Sequence, residues 1–194
     1  MDTQKAKQTL LDIEAVLNKL QVKFWLVDGV ALGAVRDKAF IPYDKDMDLR
    51  VMAKDCTLSG LSKAFKESGF AVRTSINPKL YGDLPSGIIV TKRGIKTDMC
   101  FGYYYLPEDL VVVLAGAPRS NYDILPAGLF RGNHFVNFCG TRCRIPYPAD
   151  DYLTLHYGSD WKTPKQTSYL PPNSKRISLA KYADYFHKHP GGEI

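Results

Sequence analysis

Three aspartates at alternating positions, Asp44, Asp46 and Asp48, lead into a segment whose remaining residues, Met47 and Leu49 to Met52, read as a strand. Side chains at i and i+2 of a strand share a face, with Cα atoms roughly 6–7 Å apart. Two carboxylates so placed can converge on one or two Mg²⁺ ions, which favour hard oxygen ligands and substrate phosphates. Asp44 falls in the same phase and is a further candidate ligand. Burying like charges unpaired costs several kcal/mol each, and a bound dication removes that cost. The competing reading makes Asp44-Lys45-Asp46 a solvated turn in which Lys45 is the local counter-charge.

The residues ahead of the acids bear on that choice. Lys23 to Val27 is aromatic and β-branched enough for a buried strand, and Ala31 to Arg36 reads as a short helix. Across that junction runs Gly29-Val30-Ala31-Leu32-Gly33. Glycines at a strand-to-helix turn let backbone N–H groups approach a phosphate, and a helix N-terminus favours the negative charge. Arg36 and Lys38 follow where they can hold phosphate oxygens, the arginine in bidentate fashion. The plainer alternatives are a tight turn for the glycines and an ion pair with Asp37 or Asp44 for Arg36.

The combination resembles a known pattern. A glycine-containing turn followed by Asp-x-Asp is similar to the nucleotidyltransferase superfamily related to DNA polymerase β. More narrowly, DGVALGAVRDKAFIPYDKDMDL resembles the opening motif of the LicD and fukutin family, G-T-L-L-G-x-x-R and then G-F-I-P-W-D-D-D-I-D. Phe130-Arg131-Gly132, Ile145-Pro146, Asp151-Tyr152-Leu153, Tyr157-Gly158 and Asp160-Trp161 through Pro164 resemble its closing motif. The two blocks cover roughly residues 24–50 and 125–164. Val30 and Ala31 stand where the family has Thr-Leu, Tyr43 where Trp is common, and Lys45 where it has a middle Asp. Lys45 is expected on the face opposite Asp44 and Asp46.

The resemblance implies a third metal carboxylate on a later strand, a role that Asp98 in Ile95–Phe101 suits better than Asp83 in its loop. It also implies transfer of phosphocholine or a polyol phosphate from a CDP-linked donor to a hydroxyl of a glycan or lipid-linked glycan. Asp46, Asp48 and Asp98 would hold Mg²⁺, or Mn²⁺ in its place; Arg36, Lys38, Gly29 and Gly33 would contact phosphate. The same acids would serve a nucleotidyltransferase moving an NMP from an NTP to a small molecule, protein or RNA end. A third alternative is an inactive glycan- or nucleotide-binding module.

The 194 residues can bury a sizeable core, and 45% hydrophobic with 24% charged residues is an ordinary globular mix. Helices are expected over about Thr3–Leu20, Leu58–Ser68 and Pro148–Tyr157, the second closed by Gly69. Strands are expected over Phe70–Ser75, Gly87–Thr91 and Ile95–Phe101, with a hairpin at His134–Phe138 and Thr141–Ile145. Tyr103 to Arg131 reads as loop, although Leu110 to Ala117 is apolar enough for a buried strand or turn. Tyr103-Tyr104-Tyr105 would either stack on a base or sugar or pack within a strand. His156 reads as a packing or solvent-facing residue. The result is an α+β fold, a nucleotidyltransferase-like mixed β-sheet flanked by helices. It forms one domain over 1–194, with a motif core at about 24–164 and a helical tail at 165–194.

The net charge of +6 is dispersed and shows no basic stripe interleaved with aromatics, so nucleic acid is not an expected partner. A last helix over Ser178–His187, with Lys175, Arg176, Lys181 and Lys188 around it, would cap the domain or touch a membrane peripherally. With no signal-peptide core, no apolar run of about 20 residues and four scattered cysteines, a soluble, cytoplasmic chain is expected. Cys139 and Cys143 with His134 lack a second ligand pair and read as free thiols.

Overall fold

In the computed structural model, residues 1–76, 84–114, 122–165, 185–186 and 188–189 are described. The expected last helix and Asp83 lie almost entirely or wholly outside them. Helix α1 spans Thr3–Lys19, opened by Asp2, whose carboxylate accepts the Lys5 N–H at 3.1 Å. Its buried stripe is Ala6, Leu10, Ile13, Val16 and Leu17, each large aliphatic contributing about 1.5–3 kcal/mol of burial. Strand β1, Phe24–Leu26, runs into α2, Asp28–Leu32, which continues as one wide π-helical turn over Gly33–Asp37. After β2 (Asp46–Met52) comes α3 (Leu58–Glu67), capped by Thr57 and left through Gly69 at φ 79°.

Strands β3 (Ala71–Ile76), β4 (Pro85–Lys92) and β5 (Ile95–Tyr105) complete a sheet in the order β1-β2-β5-β4-β3. Only β2 and β5 pair in parallel on that path. Along β2, Met47, Leu49 and Val51 are fully buried, while Asp46 and Asp48 keep partial exposure. Thr97, Met99 and Phe101 of β5 are buried in the same phase as the apolar positions of β2. Helices α1 and α3 pack on one another and on strands of this sheet.

The loop expected over Tyr103–Arg131 is largely sheet, and the apolar run that starts at Leu110 is a buried strand, one of its two expected alternatives. Strand β5 continues through Tyr105, and a 3₁₀ turn at Leu106–Glu108 with Asp109 at φ 53° reverses the chain. Strand β6 (Leu110–Leu114) then pairs with Gly102–Tyr105, and β7 (Tyr122–Pro126) pairs with β6. Tyr103 and Tyr105 are buried against Phe186, and Tyr105 also meets Tyr185, so the outer two tyrosines of the triplet pack within the protein. A 3₁₀ turn at Ala127–Phe130 follows, then the hairpin β8 (Phe135–Phe138) and β9 (Thr141–Arg144), and α4 (Ala149–Tyr157).

Candidate active site

The parallel register of β2 and β5 sets Asp46 opposite Lys96 and Asp48 opposite Asp98. All four therefore stand on one sheet face, two residues from two strands, and Arg50 continues the row. Lys96 places its ammonium 2.9 Å from Asp46 and 2.8 Å from Asp98, joining the two carboxylates. Those salt bridges outweigh desolvation and raise the lysine above its ordinary value. Burial, followed by the charges of Asp28, Asp46, Asp98 and Asp44, pushes the Asp48 carboxyl well above the usual carboxylate range. Asp44 is raised as well, first by burial.

Lys96 is absent from the sequence reading, although its place two residues before Asp98 on a strand puts both on one face. Among the described residues, no three carboxylate, imidazole or thiol groups gather closely enough to cage an ion. The donor chemistry nevertheless fits a hard cation. Asp48 sits in a field of like charge that a dication would relieve, and the buried Oδ1 of Asp98 has no hydrogen-bond partner.

Gly29 lies inside the helical segment, not in a turn ahead of it, because the helix begins at Asp28 instead of Ala31, and Gly33 sits where α2 passes into the π turn. A Cβ on Gly29 would meet Asp44 Oδ2 at 2.2 Å, and one on Gly33 would meet the Ala39 carbonyl at 2.5 Å. Both glycines thus permit close approach by the loop that carries Asp44. The Arg36 guanidinium is engaged in a bidentate pair with Asp37 at 2.8 Å and donates to the Trp161 carbonyl at 3.4 Å. In this conformation Arg36 joins the opening motif to the closing one, the ion-pair alternative raised by the sequence. Lys38 is exposed, at φ 55°, and ends the π turn. Lys45, exposed beside Asp44, donates its backbone N–H to the Asp44 carboxylate at 2.9 Å.

A second charged group lies beside the first. The Tyr152 hydroxyl accepts from the Asp28 N–H at 3.1 Å and donates to the Asp28 carboxylate at 3.0 Å. His156 Nε2 is 2.8 Å from the same carboxylate. Burial would raise Asp28, but His156 and Arg50 outweigh it and hold the carboxyl well below its usual value. His156 is correspondingly raised by Asp28 against its own desolvation. Arg50 is only 2% exposed, and Asp28 and Asp123 are among the groups that stabilise its charge. Its Nε and one terminal nitrogen find no hydrogen-bond partner among the described residues. The lone-histidine reading missed this assembly because its partners are distant in sequence; the phase of Arg50 with Asp46 and Asp48 was the available signal.

Residues 21–84 match the family model described as LicD/FKTN/FKRP, nucleotidyltransferase domain. The chain is LicD-like. Over 182 residues it is 27% identical to "Ribitol-5-phosphate transferase FKTN" of Macaca fascicularis, covering 89% of this chain and 37% of that protein. The Homo sapiens protein of the same name is 27% identical over 179 residues, with coverages of 88% and 37%. This LicD-like chain therefore spans little more than a third of those relatives. Among solved structures, the solution structure of the antibiotic-resistance factor ANT(2'')-Ia aligns with a TM-score of 0.53 at 17% identity, covering 98% of this chain and 99% of that one. That likeness is one of fold, and it agrees with the α+β, nucleotidyltransferase-like sheet.

Proposed function

We propose that this LicD-like chain is a transferase that moves a phospho-alcohol, such as a polyol phosphate or phosphocholine, from a CDP-linked donor to a glycan hydroxyl. The observation that carries the reading is the register that sets Asp48 against Asp98, with Asp46 beside them on the same face. The relatives named ribitol-5-phosphate transferase support a polyol phosphate as the group transferred.

Asp46, Asp48 and Asp98 would hold Mg²⁺, or Mn²⁺ in its place, with Asp44 as a further carboxylate close by. A divalent ion bound there supplies charge neutralisation for the donor diphosphate and the leaving CMP. The chain's own residues do the rest by position and charge. Lys96 keeps Asp46 and Asp98 together before substrate enters, and its ammonium can turn to a donor phosphate oxygen once those acids are otherwise neutralised. Lys38 would add a second cation, and Arg36 could do so only by leaving Asp37. Asp98 accepts the proton of the attacking hydroxyl as the new P–O bond forms and the bond to CMP breaks. Asp28, Tyr152 and His156 fix the start of α2, whose glycines seat the loop bearing Asp44.

All four cysteines are free, and Cys56, Cys100 and Cys143 are pushed to about 12, each chiefly by burial. Unpaired thiols suit a reducing, cytoplasmic setting. Among the described residues no helix is long and apolar enough to cross a membrane.

The test is CMP release from CDP-ribitol, CDP-glycerol and CDP-choline, with and without Mg²⁺ or Mn²⁺, beside pyrophosphate release from CTP and ATP. Metal-dependent binding and turnover of one CDP-alcohol, both lost in Asp46→Ala/Asp48→Ala, is the expected result. Pyrophosphate release from an NTP would replace the reading with nucleotidyl transfer.

A further inference from the structure

Arg73 stands in the same row as the acids. Register carries that row from strand to strand: Asp48 pairs with Asp98, Asp98 with Ile89, and Ile89 with Arg73. Residues directly opposite one another share a sheet face, so Ile89 and Arg73 belong to the face that bears Asp46, Asp48 and Asp98. Burial agrees. Ile88 and Val90, on the opposite face, are buried, whereas Ile89 is half-buried and Arg73 exposed. With strands about 4.8 Å apart, the Arg73 Cα lies roughly 10 Å from that of Asp98 and roughly 14 Å from that of Asp48. Among the described residues no carboxylate pairs with Arg73.

The two ends of the row differ. Beyond Asp48, the Val27 N–H donates to the Asp48 carbonyl at 3.2 Å and α2 begins at once, pinned by Tyr152 on Asp28. Beyond Asp98 the described side chains are small: Gly87 and Thr91 in phase with Ile89 on β4, and Ala71 in phase with Arg73 on β3. What remains is a low apolar step at Ile89 with a guanidinium at its outer edge. A donor whose diphosphate lies at the acids can extend along this side of the sheet. The roughly 10 Å covered by two strand spacings is comparable with the span from a metal-bound phosphate to the pairing edge of its own base.

Strand β3 ends the sheet, and edge strands often carry a charge simply to deter pairing with another chain. A lysine would serve that purpose equally well. Arginine adds a planar fork of N–H donors with no acceptor among them. The pairing edge of cytosine offers that fork two adjacent acceptors, O2 and N3. Uracil has a donor, N3–H, in place of the second.

We propose that Arg73 reads the base of the donor, distinguishing cytosine from uracil by a bidentate pair to O2 and N3, with the ring laid on Ile89. The inference rests on the transferase reading for the place of the donor phosphates. To that reading it adds the residue that makes the donor a cytidine nucleotide.

The experiment is calorimetric titration of the whole chain with CDP and with UDP in the presence of Mg²⁺, on wild type, Arg73→Lys and Arg73→Gln. Wild type is expected to bind CDP about tenfold more tightly than UDP, the discrimination of one bidentate base contact. Both variants should bring the two ligands within about twofold of each other, by weakening CDP. Arg73→Lys keeps the charge, so its loss of discrimination separates base reading from edge protection and from general attraction of phosphates. The position is exposed, and the melting temperature should not change. In turnover of a CDP-alcohol the loss should appear in KM. An unchanged CDP-to-UDP ratio in the variants, or equal affinities in a wild type that turns over a CDP-alcohol, would overturn the proposal and leave the transferase standing. A preference for CDP that Arg73→Lys abolishes, in a protein that releases pyrophosphate from CTP and no CMP from a CDP-alcohol, would sink the transferase reading and keep Arg73 as the reader of the base.

Discussion

The Tyr152 hydroxyl and Asp28 are hydrogen-bonded twice, through the Asp28 backbone N–H at 3.1 Å and its carboxylate at 3.0 Å. The two residues are 124 positions apart, one in each block of the sequence resemblance. The contact gives a physical reason for the blocks to occur together: Tyr152 on α4 fixes the first residue of α2, which holds φ at 50°. A left-handed aspartate is strained and persists when its surroundings over-determine it. Tyr152→Phe should therefore cost about 1–3 kcal/mol, since it strands a donor and removes a partner of a charge. Denaturant unfolding measures the loss, and a cost near zero would show that α2 is held by packing alone.

His156 adds the ionic part of the same anchor. Its raised folded value means that the stability it contributes is fully present below the ordinary histidine value of 6.5 and is lost as pH rises through the folded value. Asp28, depressed, contributes above the ordinary carboxylate value of 3.8 and loses that only as pH falls through its folded value. The groups facing the pair are Arg50, Asp123 and Tyr152. His156→Gln should cost about 3 kcal/mol near pH 6, the low end for a broken buried pair because Asp28 keeps 28% exposure. The variant's melting temperature should fall less than the wild type's between pH 6 and 9. Parallel curves would mean that His156 does not change protonation over that range.

Asp48 is the opposite case. A raised folded value means that the folded chain holds its proton longer than the unfolded one, so stability falls as pH rises from 3.8 through the folded value. Asp48→Asn should consequently stabilise the metal-free protein at neutral pH, by about 0.5–2 kcal/mol, while abolishing transfer. Below pH 3.8 the gain should vanish. Saturating Mg²⁺ should reverse the order, because a ligand at a hundredfold excess over Kd adds about 2.7 kcal/mol to the wild type alone. Paired melts with EDTA and with Mg²⁺ decide it.

The two glycines of α2 and its π turn separate fold from function. Gly29→Ala brings a Cβ against the carboxylate end of Asp44, a side chain that can rotate away, and alanine is the better helix former by about 0.5–1 kcal/mol. Its melting temperature should hold or rise while Mg²⁺ affinity falls. Gly33→Ala meets the Ala39 carbonyl, which is backbone, and should cost about 1–3 kcal/mol through overpacking. Unchanged Mg²⁺ affinity in folded Gly29→Ala would remove Asp44 from the site.

Much of this was legible in the sequence where short-range pattern decides the structure. Periodicity and capping gave α1, α3 and α4, and alternation gave β2 with Asp46 and Asp48 in phase. The strand expected over Ile95–Phe101 carried Asp98, but only pairing could show that it faces Asp48. Within Tyr103–Arg131 the apolar run of β6 was legible as a buried strand or turn, whereas the end of β5 and β7 misled because they are held by non-local pairing. Asp28, Arg50 and Asp123 escaped notice, and His156 read as a packing or solvent-facing residue, for the same reason: a buried charge is recognisable only through partners that the fold brings from elsewhere.

Lys96 offers the sharpest test of what the acids are for. Its ammonium occupies the approach to Asp46 and Asp98, so a dication must compete with it for those oxygens. Lys96→Gln keeps the length of the stem nearly intact and removes the competing charge. Mn²⁺ affinity, read by electron paramagnetic resonance in the absence of substrate, should rise by about tenfold, the equivalent of 1.4 kcal/mol, because Asp46 and Asp98 are left without the cation between them. Turnover should fall even so, since the ammonium that would meet the donor phosphate is gone. At 41% exposure the lysine's own effect on stability should be small. Weaker Mn²⁺ binding in the variant would mean that Lys96 organises the acids instead of occupying their place, and unchanged binding would put the metal elsewhere.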